Sequence, residues 1–301
     1  IYTKKVFSAM KESKKKLMTA HPGESKYVFD PESAEEMVRL INLDHMTTKN
    51  MGGSLSGVAN TSELETVLDI GCGSGGWALD VAFAYPHIEV AGIDISKIMI
   101  DYANARAQSE LLSNISFGVM DINQPLDFPD ESFDLVNARF LFSVLKRDAW
   151  PSFIAKCTRL LRPGGTLRLT EMSDIVTTSS AQMRMSHLFH QFLWRHEYDF
   201  ANENTRSMGI TIVLPHLIRS AGYQNVRHIS HALEWSIDTD AWSAGYHNGE
   251  IIAHMMTPLL IKEGLATKEE AEGWKQQMVI DMHSDGFCAM QYYTTVLGQK
   301  A

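Results

Sequence analysis

The sequence lacks the marks of several common protein classes. No stretch approaches the 18 or so consecutive apolar residues of a membrane-spanning helix, and no apolar signal segment stands near the start. We therefore expect no membrane span and a cytoplasmic location. The three cysteines are far apart and form no C-x-x-C pair, so neither a disulfide framework nor a zinc or redox motif is indicated.

Positive charge is also scarce. The 27 lysines and arginines are outnumbered by 36 acidic residues, which gives a net charge of −9. This balance argues against broad binding to nucleic acid or to anionic membranes. A lysine-rich stretch within the first 16 residues breaks the trend, and we interpret it as a solvated helix face. The apolar fraction of 45% is ordinary for a globular chain.

A glycine-rich turn follows an apolar strand near residue 70. Val67, Leu68 and Ile70 predict a buried strand, and four glycines stand within the next six residues. Helical spacing of apolar residues resumes at Trp77. Glycine presents no Cβ to a ligand and a helix start has unpaired N–H groups, so this turn predicts a nucleotide-binding loop.

Two cofactors fit this loop at first sight. Gly71, Gly73 and Gly76 satisfy the dinucleotide pattern G-x-G-x-x-G. Asp69 followed by Gly71, Gly73 and Gly75 satisfies D-x-G-x-G-x-G, the pattern of S-adenosylmethionine (SAM) methyltransferases. An acid before the first glycine would repel a pyrophosphate but attract the ammonium and sulfonium of SAM. Asp69 therefore favours SAM over NAD(P).

Alternation of strands and helices predicts an α/β fold. We expect strands at 66–70, 88–93, 115–119, 133–137 and 165–170, with helices between them. Such alternation indicates a parallel, doubly wound, Rossmann-like sheet that binds its ligand at the carboxyl ends of the strands. Further strands near 225–235 and 287–297 bring the sheet to seven, and we expect the last strand to be antiparallel.

Helical additions flank this sheet in the predicted domain organisation. Residues 1–60 form an N-terminal helical cap, in which Asp30 is expected to N-cap a helix with Pro31 in its first turn. Residues 61–301 form the SAM-binding domain, with helical lid insertions at about 174–208 and 238–284. The N-terminal helices either cover the cofactor cleft or simply pack on the core. They could also dock on a second copy and create a homo-oligomer.

Acidic residues stand at the ends of three successive predicted strands. Asp69 is placed to meet the methionyl amino group, and Asp94 to accept from both ribose hydroxyls. Asp121 is placed to accept from the adenine amino group while the backbone of Ile122 donates to the ring. One such acid is often only a helix cap. Three after a glycine loop indicate a complete SAM site.

Residues 66–171 resemble the class I SAM-dependent methyltransferases, in the group that includes ubiquinone and menaquinone C-methyltransferases. The motifs that carry the resemblance are Asp69-Ile70-Gly71-Cys72-Gly73-Ser74-Gly75, Asp94-Ile95-Ser96, Met120-Asp121-Ile122, Phe133-Asp134-Leu135-Val136 and Leu161-Arg162-Pro163-Gly164-Gly165. Segments 42–46, 51–53 and 285–288 add a looser likeness to teleocidin-type C-methyltransferases of bacterial secondary metabolism.

The resemblance implies further cofactor contacts. Met99 is expected to pack on adenine, and Asn137 and Arg139 to lie near the methionyl part, while Ile95 belongs to the ribose motif. Nucleobase amino-methyltransferases carry an Asn/Asp-Pro-Pro-aromatic motif after the fourth strand. Residues 137–140 read Asn-Ala-Arg-Phe, which disfavours that class.

The expected chemistry is an in-line displacement at the sulfonium methyl, for which proximity and orientation supply most of the catalysis. If the acceptor must lose a proton, the candidate bases are Glu171 and, in the helical segment that follows it, His187, His190 and His196. His187 and His190 are three residues apart but have no third matched ligand, so we expect no metal. Methionines and aromatics at 183–194 suit either the core or an apolar pocket.

We therefore expect methylation of a small, largely apolar metabolite, with C-methylation ahead of O-methylation. A non-catalytic SAM-binding scaffold and an NAD(P) oxidoreductase are the alternatives.

Overall fold

The computed structural model describes residues 28–202 and 208–301. The lysine-rich stretch and the first predicted helix lie outside these ranges. The helices and strands, in chain order, are α1 (Ala34–Asn50), β1 (Thr66–Ile70), α2 (Gly76–Ala84), β2 (Glu89–Asp94), α3 (Lys97–Ser109), β3 (Ile115–Val119), β4 (Phe133–Arg139), α4 (Trp150–Leu160), β5 (Leu161–Thr177), α5 (Ser180–Arg195), α6 (Ile210–Ser220), β6 (Gln224–Glu234), α7 (Trp242–Lys262), α8 (Lys268–Met282) and β7 (Ala289–Gln299).

One seven-stranded sheet runs in the order β3-β2-β1-β4-β5-β7-β6. The strands β1 to β5 are parallel to one another, and β7 runs antiparallel to both β5 and β6. The predicted α/β fold with seven strands and an antiparallel last strand is confirmed. The strand order reverses direction at β1 and β4, which is where a doubly wound sheet opens a ligand crevice.

The strand β1 is buried along its whole length because helices cover both faces of the sheet. Val67 packs with Trp77 on one face, whereas Leu68 and Ile70 pack on the other face with Phe153. This burial explains why the strand reads as a nearly continuous apolar run with a single acid, Asp69.

The long strand β5 departs from the predicted 165–170. Its pairing with β7 runs from Thr166 opposite Gln299 to Thr177 opposite Ala289. An antiparallel partner of eleven residues therefore extends β5 well past the expected end. As a result, Glu171 lies inside the sheet and not directly after a strand.

The helices α1, α5, α7 and α8 pack against one another. Ser33, and not Asp30, caps α1, because its Oγ accepts a hydrogen bond from the Glu36 N–H. The predicted cap with Pro31 in the first turn is wrong by three residues. Within the part of the chain that the structure describes, none of the helices has the length and apolar character that a bilayer crossing requires.

Candidate active site

The glycine loop lies between β1 and α2. Gly71, Gly73 and Gly75 have φ angles of +68°, +52° and +79°, a region that glycine enters without strain. The Gly71 N–H donates to the Ile93 carbonyl at 2.8 Å. A Cβ on Gly75 would lie 2.7 Å from the Phe117 ring, so this glycine packs against β3 while Gly71 and Gly73 line the cleft.

Asp94 ties the glycine loop to the end of β2. Its two carboxylate oxygens accept from the Gly73 N–H and the Ser96 N–H, both at 2.9 Å. Burial is the main influence on this carboxyl and raises its pKa, while the backbone donors oppose the rise. A carboxylate fixed in this way faces the cleft with its remaining lone pairs.

One end of the cleft lies past β3. Asp121 and Ile122 line it together with Met99 and Ile95. Asp121 Oδ1 accepts from the backbone and side-chain N–H groups of Asn123, at 2.8 and 3.0 Å, which fixes the loop. The apolar Met99 side chain and these polar groups together suit a flat heteroaromatic ring.

Charged side chains converge at the opposite end of the cleft. Asp69 lies on its floor, and Arg139, from the end of β4, forms an ion pair with Asp44 of α1. Arg139 also donates to Thr48 Oγ1 at 3.0 Å. Burial raises the pKa of Asp69 to about 7, although Arg139 acts in the opposite direction. A ligand that carries both an ammonium and a carboxylate matches this set of charges.

Asp44 is a cleft residue that the sequence analysis missed. A Cβ on Gly76 would overlap its carboxylate, so Gly76 provides the space that Asp44 occupies at the start of α2. Its signals in the sequence were the looser likeness of segment 42–46 and the fourth glycine of the loop, which the methyltransferase pattern does not require.

A second, mostly apolar chamber adjoins the cleft. Leu43, Phe142 and Ile252 are among the residues that line both spaces. Six methionines contribute to the chamber wall, namely Met46, Met172, Met185, Met208, Met256 and Met278. Helices α1, α5 and α7 and strand β7 therefore enclose a space directly beyond the cofactor cleft.

Similar proteins agree with this arrangement. Residues 67–165 match a family model described as a methyltransferase domain. Methyltransferase pytC of Aspergillus terreus is 30% identical over 148 residues, which are 48% of this chain and 42% of that protein. The 27-O-demethylrifamycin SV methyltransferase of Amycolatopsis mediterranei is 35% identical over 128 residues, which are 42% of this chain and 45% of that protein.

The stretch matched by the family model is about a third of this chain, and over this part the chain resembles methyltransferases. The match to a methyltransferase domain is consistent with SAM, the predicted cofactor, which enters the function proposed below. The matches span less than half the length of both relatives. The crystal structure of the YcgJ protein from Bacillus subtilis shares the fold, with a TM-score of 0.52 and 18% identity over 82% of this chain and 97% of that one.

The structure brings most of the predicted cofactor residues to the cleft. Those that line it are Asp69, Gly71, Gly73, Asp94, Ile95, Met99, Asp121, Ile122 and Arg139. Gly75 and Asn137 do not line it. Asn137 is fully buried behind Asp69 and donates to Asp69 Oδ1 at 2.7 Å.

The candidate bases fall in four different places. His196, directly after α5, lies outside both linings, with its Nε2 3.1 Å from Glu263 Oε1. Glu171 was expected to face the substrate, but its oxygens accept from the Leu141 and Phe142 N–H groups at 2.8 and 3.3 Å. It lines neither space, because β5 continues past it and turns its side chain into the protein. His187 lies near Gln191 on α5, away from both linings. His190 is buried and lines the chamber.

Proposed function

We propose that this chain transfers a methyl group from SAM to a small, uncharged and largely apolar acceptor. One observation carries the proposal: the cofactor cleft and the apolar chamber share a wall, so an acceptor in the chamber lies next to the cleft. Ligand sites of this kind are mostly apolar with a few placed polar groups.

In this proposal different residues of the cleft bind different parts of SAM. Asp69, Arg139 and the glycine loop hold the methionyl part, Asp94 the ribose, and Asp121, Ile122 and Met99 the adenine. Asp44 joins the first group because its carboxylate lies beside Arg139. The fit is chemical, since the cleft offers bare backbone and carboxylates where SAM carries its hydroxyls and positive charge.

The charges of the chamber favour an uncharged acceptor. Of the described residues that line it, Arg39 alone carries a permanent full charge. Glu36 neutralises this guanidinium through two hydrogen bonds, of 2.7 and 2.6 Å. The six methionines suit an apolar ligand of irregular shape, because methionine side chains are flexible and polarisable.

SAM supplies an electrophilic methyl group, and the chain contributes orientation and exclusion of water. We place C-methylation first because aromatic rings of Phe142, Phe189 and Trp235 line the chamber. Such faces stabilise the positive charge that a carbon acceptor carries after methylation. The buried His190 is positioned within this lining to accept a proton, which keeps it the candidate base.

O-methylation is the second candidate. It is favoured by the likeness to 27-O-demethylrifamycin SV methyltransferase, whose name specifies an O-demethylated small-molecule acceptor. That likeness also supports a role in secondary metabolism. The division into a cap at 1–60 and a SAM-binding domain at 61–301, and association of copies through the N-terminal helices, remain proposals of the same kind.

Methyl transfer and cofactor binding are tested separately. Calorimetry with SAM and with S-adenosylhomocysteine (SAH) should show binding of both by the wild type. A panel of uncharged, apolar compounds is then offered as acceptors together with SAM that carries tritium in its methyl group. At least one compound should yield a tritium-labelled product. Treatment with hydroiodic acid releases O-methyl label as methyl iodide and leaves C-methyl label in place. Cofactor binding without any labelled product would instead support a non-catalytic scaffold.

A further inference from the structure

A chain of buried polar side chains crosses the sheet behind the cofactor cleft. Asp69 of β1 stands opposite Asn137 of β4, which in turn stands opposite Arg168 of β5. Arg168 Nη1 donates to Asn137 Oδ1 at 2.6 Å, and Asn137 Nδ2 donates to Asp69 Oδ1 at 2.7 Å. All three side chains are at least 98% buried, and only Asp69 reaches the cleft.

The direction of these hydrogen bonds is fixed by chemistry. A guanidinium can only donate, so the amide oxygen of Asn137 must face Arg168. The amide NH₂ must then face Asp69, because a flipped amide would set its oxygen against the carboxylate and its NH₂ against the guanidinium. Arg168 thus determines which group of Asn137 contacts Asp69.

We propose that Arg168 is a positioning residue for SAM, which acts through Asn137 to hold the Asp69 carboxylate toward the cleft. The proposal rests on the proposed function, in which Asp69 binds the methionyl ammonium. The proposal assigns a role in cofactor binding to Arg168, which lies outside the cleft. It also assigns Asn137 the role of holding Asp69, without direct contact to the cofactor.

Arg168 also influences the charge of Asp69. The other groups that face Asp69 are Arg139 from β4, Asp44 from α1 and the amide of Asn137. Arg139, Asn137 and Arg168 lower the pKa of Asp69, whereas burial and Asp44 raise it. Removing the charge of Arg168 therefore raises the pKa of Asp69 and leaves less carboxylate at a given acidic pH.

The test measures SAH binding by calorimetry from pH 6 to pH 8.5 for wild type and Arg168→Met. Because loss of the Arg168 charge raises the pKa of Asp69, SAH binding by Arg168→Met should be several-fold weaker than by wild type at pH 6 and within about twofold of wild type at pH 8.5. Arg168→Lys, which keeps the charge and a donor, should restore most of the wild-type profile. If Arg168→Met does not fold, Arg168→Gln provides the uncharged variant with a retained donor.

Arg162→Met is the matched control. Arg162 also belongs to β5 and pairs with Asp134 at 2.6 Å, away from the cleft. Its SAH affinity should follow the wild type at every pH. A purely structural role of Arg168 would instead weaken binding by the same factor at every pH, and that result would overturn the proposal.

A second readout separates this proposal from the proposed function. Carbon-13 NMR of the aspartate carboxyls should show the Asp69 titration shifted upward in Arg168→Met, with or without ligand. An unchanged titration overturns the positioning role even if SAH binds. Failure of the wild type to bind SAH overturns the proposed function, and with it this role for Arg168 in SAM binding. The NMR titration would then still measure whether Arg168 changes the pKa of Asp69.

Discussion

The cofactor cleft is held mainly by backbone hydrogen bonds, whereas the adjoining acceptor chamber is held by side-chain packing. In the cleft, Asp94 binds two backbone N–H groups and the glycine loop binds the Ile93 carbonyl. In the chamber, methionines and aromatics come from helices, strands and loops far apart in sequence. A cofactor that never changes suits the first construction, and an acceptor that differs between relatives suits the second.

The largest expected effect concerns Glu171, which binds the loop whose Phe142 lines both regions. Burial raises its pKa to about 8 from an ordinary 4.5. Because the folded protein then holds the proton more tightly, the Glu171 contribution to stability is full below pH 4.5 and is lost as pH rises to about 8. The loss amounts to up to about 5 kcal/mol, at about 1.4 kcal/mol per pKa unit.

Glu171→Gln removes this titration. In urea denaturation, the free energy of unfolding of the wild type should fall relative to that of Glu171→Gln as the pH rises from 5 to 8. Parallel curves for the two proteins would mean that the wild-type carboxyl is not protonated in this loop.

Asp94→Ala should damage the cofactor cleft and leave the chamber intact. Hydrogen bonds to a charged group contribute about 1.5–3 kcal/mol each, so the variant should bind SAM at least about 100-fold more weakly in calorimetry. Asp101→Ala, an exposed acid on the neighbouring helix α3, is the control and should keep wild-type affinity. Unchanged SAM binding by Asp94→Ala would remove the basis of the proposed ribose contact.

Ser186→Trp should damage the chamber and leave the cofactor cleft intact. Ser186 lines the chamber and not the cleft, so a bulky ring there should fill the acceptor space. Binding of the neutral fluorescent probe N-phenyl-1-naphthylamine should weaken about tenfold, or about 1.4 kcal/mol, while SAH affinity changes less than about twofold. Ser180→Trp, exposed on the same helix, should bind both like the wild type. Equal loss of probe and SAH would show that the two regions are not separable.

Ser33→Ala should produce the smallest effect, because α1 contributes to both walls but its cap contacts neither ligand. Loss of the hydrogen bond to the Glu36 N–H should lower the free energy of unfolding by about 1 kcal/mol in urea denaturation. SAM and probe affinities should fall together, by less than about twofold. Ser109→Ala, at the exposed end of α3, is the control; a selective loss of either ligand would contradict the shared-wall description.

The same contrast explains what could be predicted from the sequence. Asp69 and Asp94 follow from a local pattern, since a β-strand, its last residues and a glycine turn are continuous in the chain. Strands β1 and β3 have the predicted bounds for the same reason. Glu171 was placed incorrectly because the length of β5 depends on pairing with β7, more than 100 residues later.

Residues that act across strands or helices had at most a weak local signal. Arg168 alternates with Leu167 and Leu169 as an outward-facing polar residue would, yet helices and neighbouring strands bury it. Asp44 lies on a helix far from the loop it contacts, so its ion pair with Arg139 depends on tertiary packing. The contacts of such polar groups can be recognised only once the register of the strands and the packing of the helices are known.

The pairing of β5 with β7 also sets an order of events during synthesis. Strands β1 to β4, together with Asp69, Asp94 and Asp121, occupy residues 66–139, and each of these strands pairs with another strand of that same segment. The sheet edge beyond β5 cannot close until residues 289–299 have left the ribosome. Late, non-local pairing slows folding and leaves an unpaired edge exposed in the meantime. The nascent chain can therefore assemble most of its cofactor cleft well before it has an acceptor chamber.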